Sequence, residues 1–110
     1  MASPWPDTAS SYCDVGATYR EKGNHEKALV FESKALEIRR KRLGEEHPDT
    51  ANSLFNTGMV LWHFKPRRKE AVDHIEQAYK ILQQRLGENH PDTRLTKKEL
   101  KFRSKKIKRR

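Results

Sequence analysis

The sequence predicts an all-α fold, an α-solenoid of two antiparallel helical hairpins followed by a C-terminal capping helix and a basic tail. Three observations carry this. A short pattern recurs at intervals of 42 and 43 residues, the small and apolar residues inside each copy keep a helical period, and the breaks between periodic stretches fall at Gly and Pro. A single hairpin of this kind cannot bury its apolar stripe alone, so the copies are expected to stack.

The pattern opens at Pro6-Asp7-Thr8, returns as His47-Pro48-Asp49-Thr50 and starts again as His90-Pro91-Asp92-Thr93. In this register Ala9 matches Ala51, Ser11 matches Ser53, Gly16 matches Gly58, Ala28 matches Ala71, Ala35 matches Ala78, and Leu43-Gly44 matches Leu86-Gly87. Residues 1–5 are then an N-terminal extension, 6–93 two repeats (6–47 and 48–90), and 94–110 the capping helix and tail. Pro at a first helical position loses no hydrogen bond, and Asp next to it meets the positive end of the helix dipole. The pattern therefore marks helix starts and needs no catalytic explanation.

Each helix follows from its own stripe. The first carries Ala9, Tyr12, Cys13, Gly16, Tyr19 and Arg20 and stops at Gly23-Asn24. The second carries Ala28, Leu29, Glu32, Ala35, Leu36, Arg39 and Leu43. Glu32 and Arg39 interrupt that stripe, and Phe31 and Ile38 are expected to share its packing. The third carries Ala51, Leu54, Phe55, Gly58, Leu61 and Trp62 and cannot continue through Pro66. The fourth carries Ala71, Val72, Ile75, Ala78, Tyr79, Leu82 and Leu86, ending before Gly87. Tyr19, Phe55, Trp62 and Tyr79 are expected in the core, with Trp5 over the open N-terminal end.

Past Thr93 the pattern changes. Lys97 stands where the earlier copies have Tyr12 and Leu54, and Lys101 where they have Gly16 and Gly58, so a third packed hairpin is not encoded. A capping helix from Arg94 to about Phe102 is expected instead, with Leu95 and Leu100 covering the last hairpin.

Charge divides the chain at the same place. The 110 residues carry a net charge of +9, yet residues 1–93 hold 14 basic and 14 acidic side chains and residues 94–110 hold 10 and 1. The terminal cluster of Arg103, Lys105, Lys106, Lys108, Arg109 and Arg110 fits a nuclear-import signal, an unspecific RNA or DNA phosphate contact, or a solubilising terminus. No apolar run is long enough to span a membrane, and the chain is expected in the cytoplasm, with the nucleus reached through the basic cluster.

Chemistry-bearing constellations are sparse. The lone Cys13 excludes a disulfide framework and a cysteine-rich zinc site. His25-Glu26 lacks the second His of a zinc-protease helix because Leu29 stands there, and His47 and His90 are turn residues. His63 and His74 are close enough in sequence to meet across a turn, but two imidazoles make a poor zinc site. Cys13 and His25 have no third orienting group, and no Gly-rich phosphate loop exists. Neither an enzyme, a cofactor nor a metal is expected.

At its small residues and repeated motifs the chain resembles the tetratricopeptide repeat family. Within that family it is similar to the long-period repeats of kinesin light chains, in His47-Pro48-Asp49-Thr50-Ala51, Leu54-Phe55-Asn56-Thr57-Gly58, Glu70-Ala71, Ala35-Leu36-Glu37-Ile38 and Leu86-Gly87. The likeness covers about Pro6 to Thr93. It implies a non-catalytic platform for a protein or peptide partner, with the first helix of each pair lining a concave face and Asn56 in contact with the peptide. The residues so placed are Asp14, Ala17 and Glu21 in the first copy and Asn52, Asn56, Met59 and His63 in the second. Asp14 and Glu21 make one end acidic, which favours a basic ligand. Glu32, Asp14 and Thr57 depart from the family pattern. With only two full repeats, the open ends are also expected to favour self-association.

Overall fold

The computed structural model describes residues 8–108, so Trp5, Pro6, Asp7, Arg109 and Arg110 lie outside the described residues. Five helices follow one another: α1 Thr8–Glu21, α2 His25–Leu43, α3 Pro48–Leu61, α4 Arg68–Leu86 and α5 Pro91–Lys108, with a 3-10 turn at Lys65–Arg67 before α4. Among the described residues there is no strand. Helices α1 and α2 form one hairpin and α3 and α4 the next, while α3 leans on α2 and α5 on α4.

Local chemistry sets the boundaries. Asn24 caps α2 by accepting the Lys27 N–H at 3.2 Å. In the recurring pattern the histidine does the capping, for His47 Nδ1 accepts the Asp49 N–H at 3.0 Å and His90 Nδ1 accepts the Asp92 N–H at 3.1 Å. The threonine reaches back to the end of the preceding helix: Thr50 Oγ1 donates to the Gly44 carbonyl at 2.7 Å and Thr93 Oγ1 to the Leu82 carbonyl at 3.3 Å. At the far ends of α2 and α4, Gly44 and Gly87 adopt φ of 93° and 88°, a region that disfavours a side chain.

The core sits where α2, α3 and α4 meet, built from Leu36, Ala51, Leu54, Ala78, Ile81 and Leu82 with Phe55 and Leu86 against it. Close approach within each hairpin depends on the matched glycines. A Cβ on Gly58 would lie 2.8 Å from Ile75 Cγ1 and 2.9 Å from the Ala71 carbonyl oxygen. One on Gly16 would lie 2.9 Å from Glu32 Cγ.

Three expectations change. The last helix begins at Pro91 and continues to Lys108, beyond Phe102. It docks through the buried Thr93 and Thr96 and the half-buried Leu100, Arg103 and Ile107, while Leu95 remains 49% exposed. The spacing of 93, 96, 100, 103 and 107 is a single helical stripe, and 95 lies outside it. Tyr19, Phe55, Trp62 and Tyr79 are half-buried rather than enclosed: Phe55 borders the core, Tyr19 stacks on Phe31, Trp62 meets Arg68 and Arg103, and Tyr79 keeps its hydroxyl on Glu88.

Candidate partner-binding groove

Helices α1, α3 and α5 lie side by side and present one open groove of about 440 Å³. From α1 it receives Ser10, Cys13 and Asp14, from α3 Asn52, Phe55 and Asn56, and from α5 Asp92 and Leu95. Phe55 and Leu95 give it an apolar strip, and the amides of Asn52 and Asn56 offer donor and acceptor together.

Arg39 reaches into this groove from α2 and ties that helix to α1 and α3. Its guanidinium donates to Ser53 Oγ at 3.0 Å, to Ser10 Oγ at 3.3 Å and to the Asp49 carbonyl at 3.3 Å. The interruption of the second stripe is thus a clasp, with a planar fork satisfying several acceptors at once. Asp14 and Asp92 are exposed, and no ion pair among the described residues engages either carboxylate.

Of the residues expected on the inner face, Asp14, Asn52 and Asn56 line this groove, whereas Ala17, Glu21, Met59 and His63 do not. Ala17 and Met59 are half-buried and Glu21 is exposed. His63 stacks on His25, with ring centroids 3.7 Å apart and planes 9° from parallel. His74, its expected neighbour, instead turns Nδ1 to the Glu70 carbonyl at 3.0 Å. Asp92 and Leu95 are not among the residues expected on the inner face, although the start of a third copy at His90 places them opposite Asp49 and Asn52.

The basic cluster is also divided. Lys105 and Lys106 are exposed, but Arg103 is only 13% exposed, paired with Glu99 and lying over the Trp62 ring at 5.4 Å. Arg68 approaches the same ring at 4.6 Å, so Trp62 meets two guanidinium groups.

A tetratricopeptide repeat profile matches residues 7–84, which takes in the first four helices. The chain belongs to the tetratricopeptide repeat family. No curated protein matches it. The tetratricopeptide match stops before α5, so the final helix, with Asp92 and Leu95 of the groove, stands outside the part that defines the family.

Within the tetratricopeptide hairpins, Cys13 is half-buried, with Sγ 4.0 Å from Ser53 Oγ, and burial pushes its thiol pKa up. A raised thiol pKa leaves little thiolate for nucleophilic work. The described residues contain no group of three or more His, Cys, Asp or Glu arranged to hold a metal, and no helix long and apolar enough to cross a membrane. A second hollow of about 500 Å³ lies between α2 and α4, with Leu29, Leu36, Thr57 and Leu61 among its lining.

Proposed function

We propose that this tetratricopeptide chain is a non-catalytic docking module that holds an extended peptide segment of a partner protein in the groove across α1, α3 and α5. The observation that carries the reading is the convergence of Asn52 and Asn56 with Asp14 and Asp92 around the apolar strip of Phe55 and Leu95. The two amides suit the main chain of an extended peptide, the strip suits an apolar side chain, and the two carboxylates favour Lys or Arg in the bound segment. The long-period likeness to kinesin light chain repeats supports an adaptor role. The acidic rim argues for a basic segment over an acidic one.

Selection from a random peptide library, followed by backbone amide shift mapping with a selected peptide, tests this. Selected sequences should contain Lys or Arg, and shifts should concentrate at Asp14, Asn52, Asn56 and Leu95. The double variant Asp14→Asn, Asn56→Ala should weaken binding by about tenfold or more with an unchanged thermal melt. Shifts confined to the hollow between α2 and α4, or an unaffected double variant, would refute the groove.

A further inference from the structure

Helix α5 occupies the seat of a third first-helix. It meets α4 through Thr93, Thr96, Leu100 and Arg103, which stand 43 residues after Thr50, Ser53, Thr57 and Val60, the buried residues with which α3 meets α2. A helix in that seat has a second seam. On α3 it runs through Ala51, Leu54, Phe55, Gly58, Leu61 and Trp62 and receives α4. In the same register on α5 the residues are Arg94, Lys97, Lys98, Lys101, Ser104 and Lys105. The apolar seam has become a cationic one.

All five cations are exposed, and the helical repeat gathers them within an arc of about 100°. Arg94, Lys97, Lys98 and Lys101 line a single open trough with Glu88 and Asn89. Glu88 is the one acid in that lining. It sits 3.8 Å from Lys97 and accepts the Tyr79 hydroxyl at 2.6 Å. Among the described residues no ion pair engages Arg94, Lys98, Lys101 or Lys105.

We propose that this face of α5 binds the phosphate backbone of a nucleic-acid duplex without reading its sequence. Eleven residues separate Arg94 from Lys105, a rise of about 16 Å, over which one duplex strand presents roughly five phosphates. That strand winds about half a turn over this rise, so a straight rod laid along the duplex meets phosphates of both strands where they border a groove, and five cations on long stems reach out to them. Lysine suits the role, because its ammonium is a point charge that needs no fixed angle to a phosphate oxygen.

The same geometry disfavours the other anionic surfaces. A partner helix seated here as α4 sits on α3 needs the close approach that Gly58 allows, and Lys101 fills that notch. Membrane insertion needs apolar side chains among the cations, yet Leu100 and Ile107 lie on the stripe that docks on α4, and the exposed Phe102 and Leu95 fall outside the cationic arc. Single-strand binding relies on a series of stacked aromatics, and α5 offers a single one, Phe102, outside the arc.

Fluorescence anisotropy of the full chain on a mixed-sequence duplex of about twenty base pairs, from about 50 to 200 mM salt, decides the matter. The logarithm of the affinity should fall with the logarithm of salt at a slope of roughly −3.5 to −4.5, for four to five neutralised phosphates. Replacing Lys98, Lys101 and Lys105 by Gln should reduce the slope by about 2.7 and the affinity by about tenfold or more at 100 mM salt. Replacing all three by Arg should preserve both. Neutralising Lys22, Lys34 and Lys41 makes the same change in net charge on the first hairpin and should alter affinity less than about twofold. No binding at the lowest salt, equal weakening by the two neutralised triples, or tighter binding to polyglutamate or phosphatidylserine vesicles would each overturn the proposal.

Discussion

The Glu32 side chain lies directly against Gly16, where a Cβ would meet Glu32 Cγ at 2.9 Å and a carboxylate oxygen at 3.1 Å. In the second hairpin the matching pair is Gly58 and Ile75. A carboxyl group thus fills a notch built for a branched apolar side chain, fully buried and with neither oxygen hydrogen-bonded. Burial holds its pKa above the ordinary carboxylic value of 4.5, against smaller opposing pulls from Arg20, Cys13 and Arg39.

Replacing this group should therefore stabilise the protein at neutral pH. With a folded pKa above the unfolded one, the native state holds the extra proton, so the contribution is complete below pH 4.5 and is lost as pH rises through the folded value. Glu32→Ile and Glu32→Gln should both raise unfolding free energy at pH 7.5, the first by about 1–3 kcal/mol. Their advantage should shrink towards pH 4. Urea denaturation at the two pH values checks it, and two variants less stable than the parent at pH 7.5 would contradict it.

The two glycine notches should respond unequally to Ala. At Gly58 the added methyl meets Ile75 and the Ala71 carbonyl, and backbone cannot yield without shifting α4. Overpacking of that kind destabilises by about 1–3 kcal/mol, more than the gain in helix propensity of about 1 kcal/mol. At Gly16 the obstacle is the Glu32 side chain from Cγ outwards, with no backbone atom among its nearest neighbours, and a change of rotamer can relieve it. Gly58→Ala should lower the melting temperature clearly, while Gly16→Ala stays near the parent. Equal losses would mean that Glu32 is as fixed as Ile75.

The legible and illegible parts of the sequence divide along the same line. Helix bounds and hairpin pairing could be read because Pro48, Gly44 and the apolar stripes act locally, each through backbone geometry or a 3.6-residue period. Glu32 stood out as a departure, but its burial without a partner depends on Gly16 in another helix. Arg39 looked like a break in a stripe. Its role as a clasp needs Ser10 and Ser53 from two further helices, and no periodicity encodes that. The groove is half readable: Asp14, Asn52 and Asn56 follow from the register, whereas sequence proximity pairs His63 with His74 and the packing selects His25. Leu95 was misjudged because apolar character alone assigned it inward, when the helical phase set by Thr93 and Thr96 turns it towards the groove.

His63 should titrate below the ordinary imidazole pKa. Partial desolvation is the main cause, followed by His25, Arg103, Arg68 and Arg20, all of which oppose a positive charge on the ring. A base with a depressed folded pKa contributes stability above its unfolded value of 6.5, lost as pH falls through the folded value. Imidazole proton shifts should place the His63 midpoint below 6.5, and His25→Ala should move it upwards. Because the Glu32 contribution grows as pH falls and this one fades, the parent stability profile between pH 4.5 and 6.5 should be flatter than that of Glu32→Gln. A His63 midpoint unmoved by His25→Ala would separate the stacked rings electrostatically.

Arg103 should govern how firmly the outer half of α5 stays on the stack. Its guanidinium lies over Trp62, pairs with Glu99 one turn earlier, and keeps Nε buried without a partner. Removing it takes away a shielded cation–π contact and the aliphatic stem beneath it, together about 1 kcal/mol. Arg103→Ala should therefore accelerate amide exchange about fivefold in residues Leu100 to Ile107 while leaving α1 and α2 unchanged. Arg103→Lys should recover little, since an ammonium cannot lie flat on the indole while reaching Glu99. Trp62→Leu should loosen the same segment, and the double variant should be less destabilised than the two single losses summed. Unchanged exchange in Arg103→Ala would instead make this arginine part of the solvated basic arm and leave Thr93, Thr96 and Leu100 to hold α5 alone.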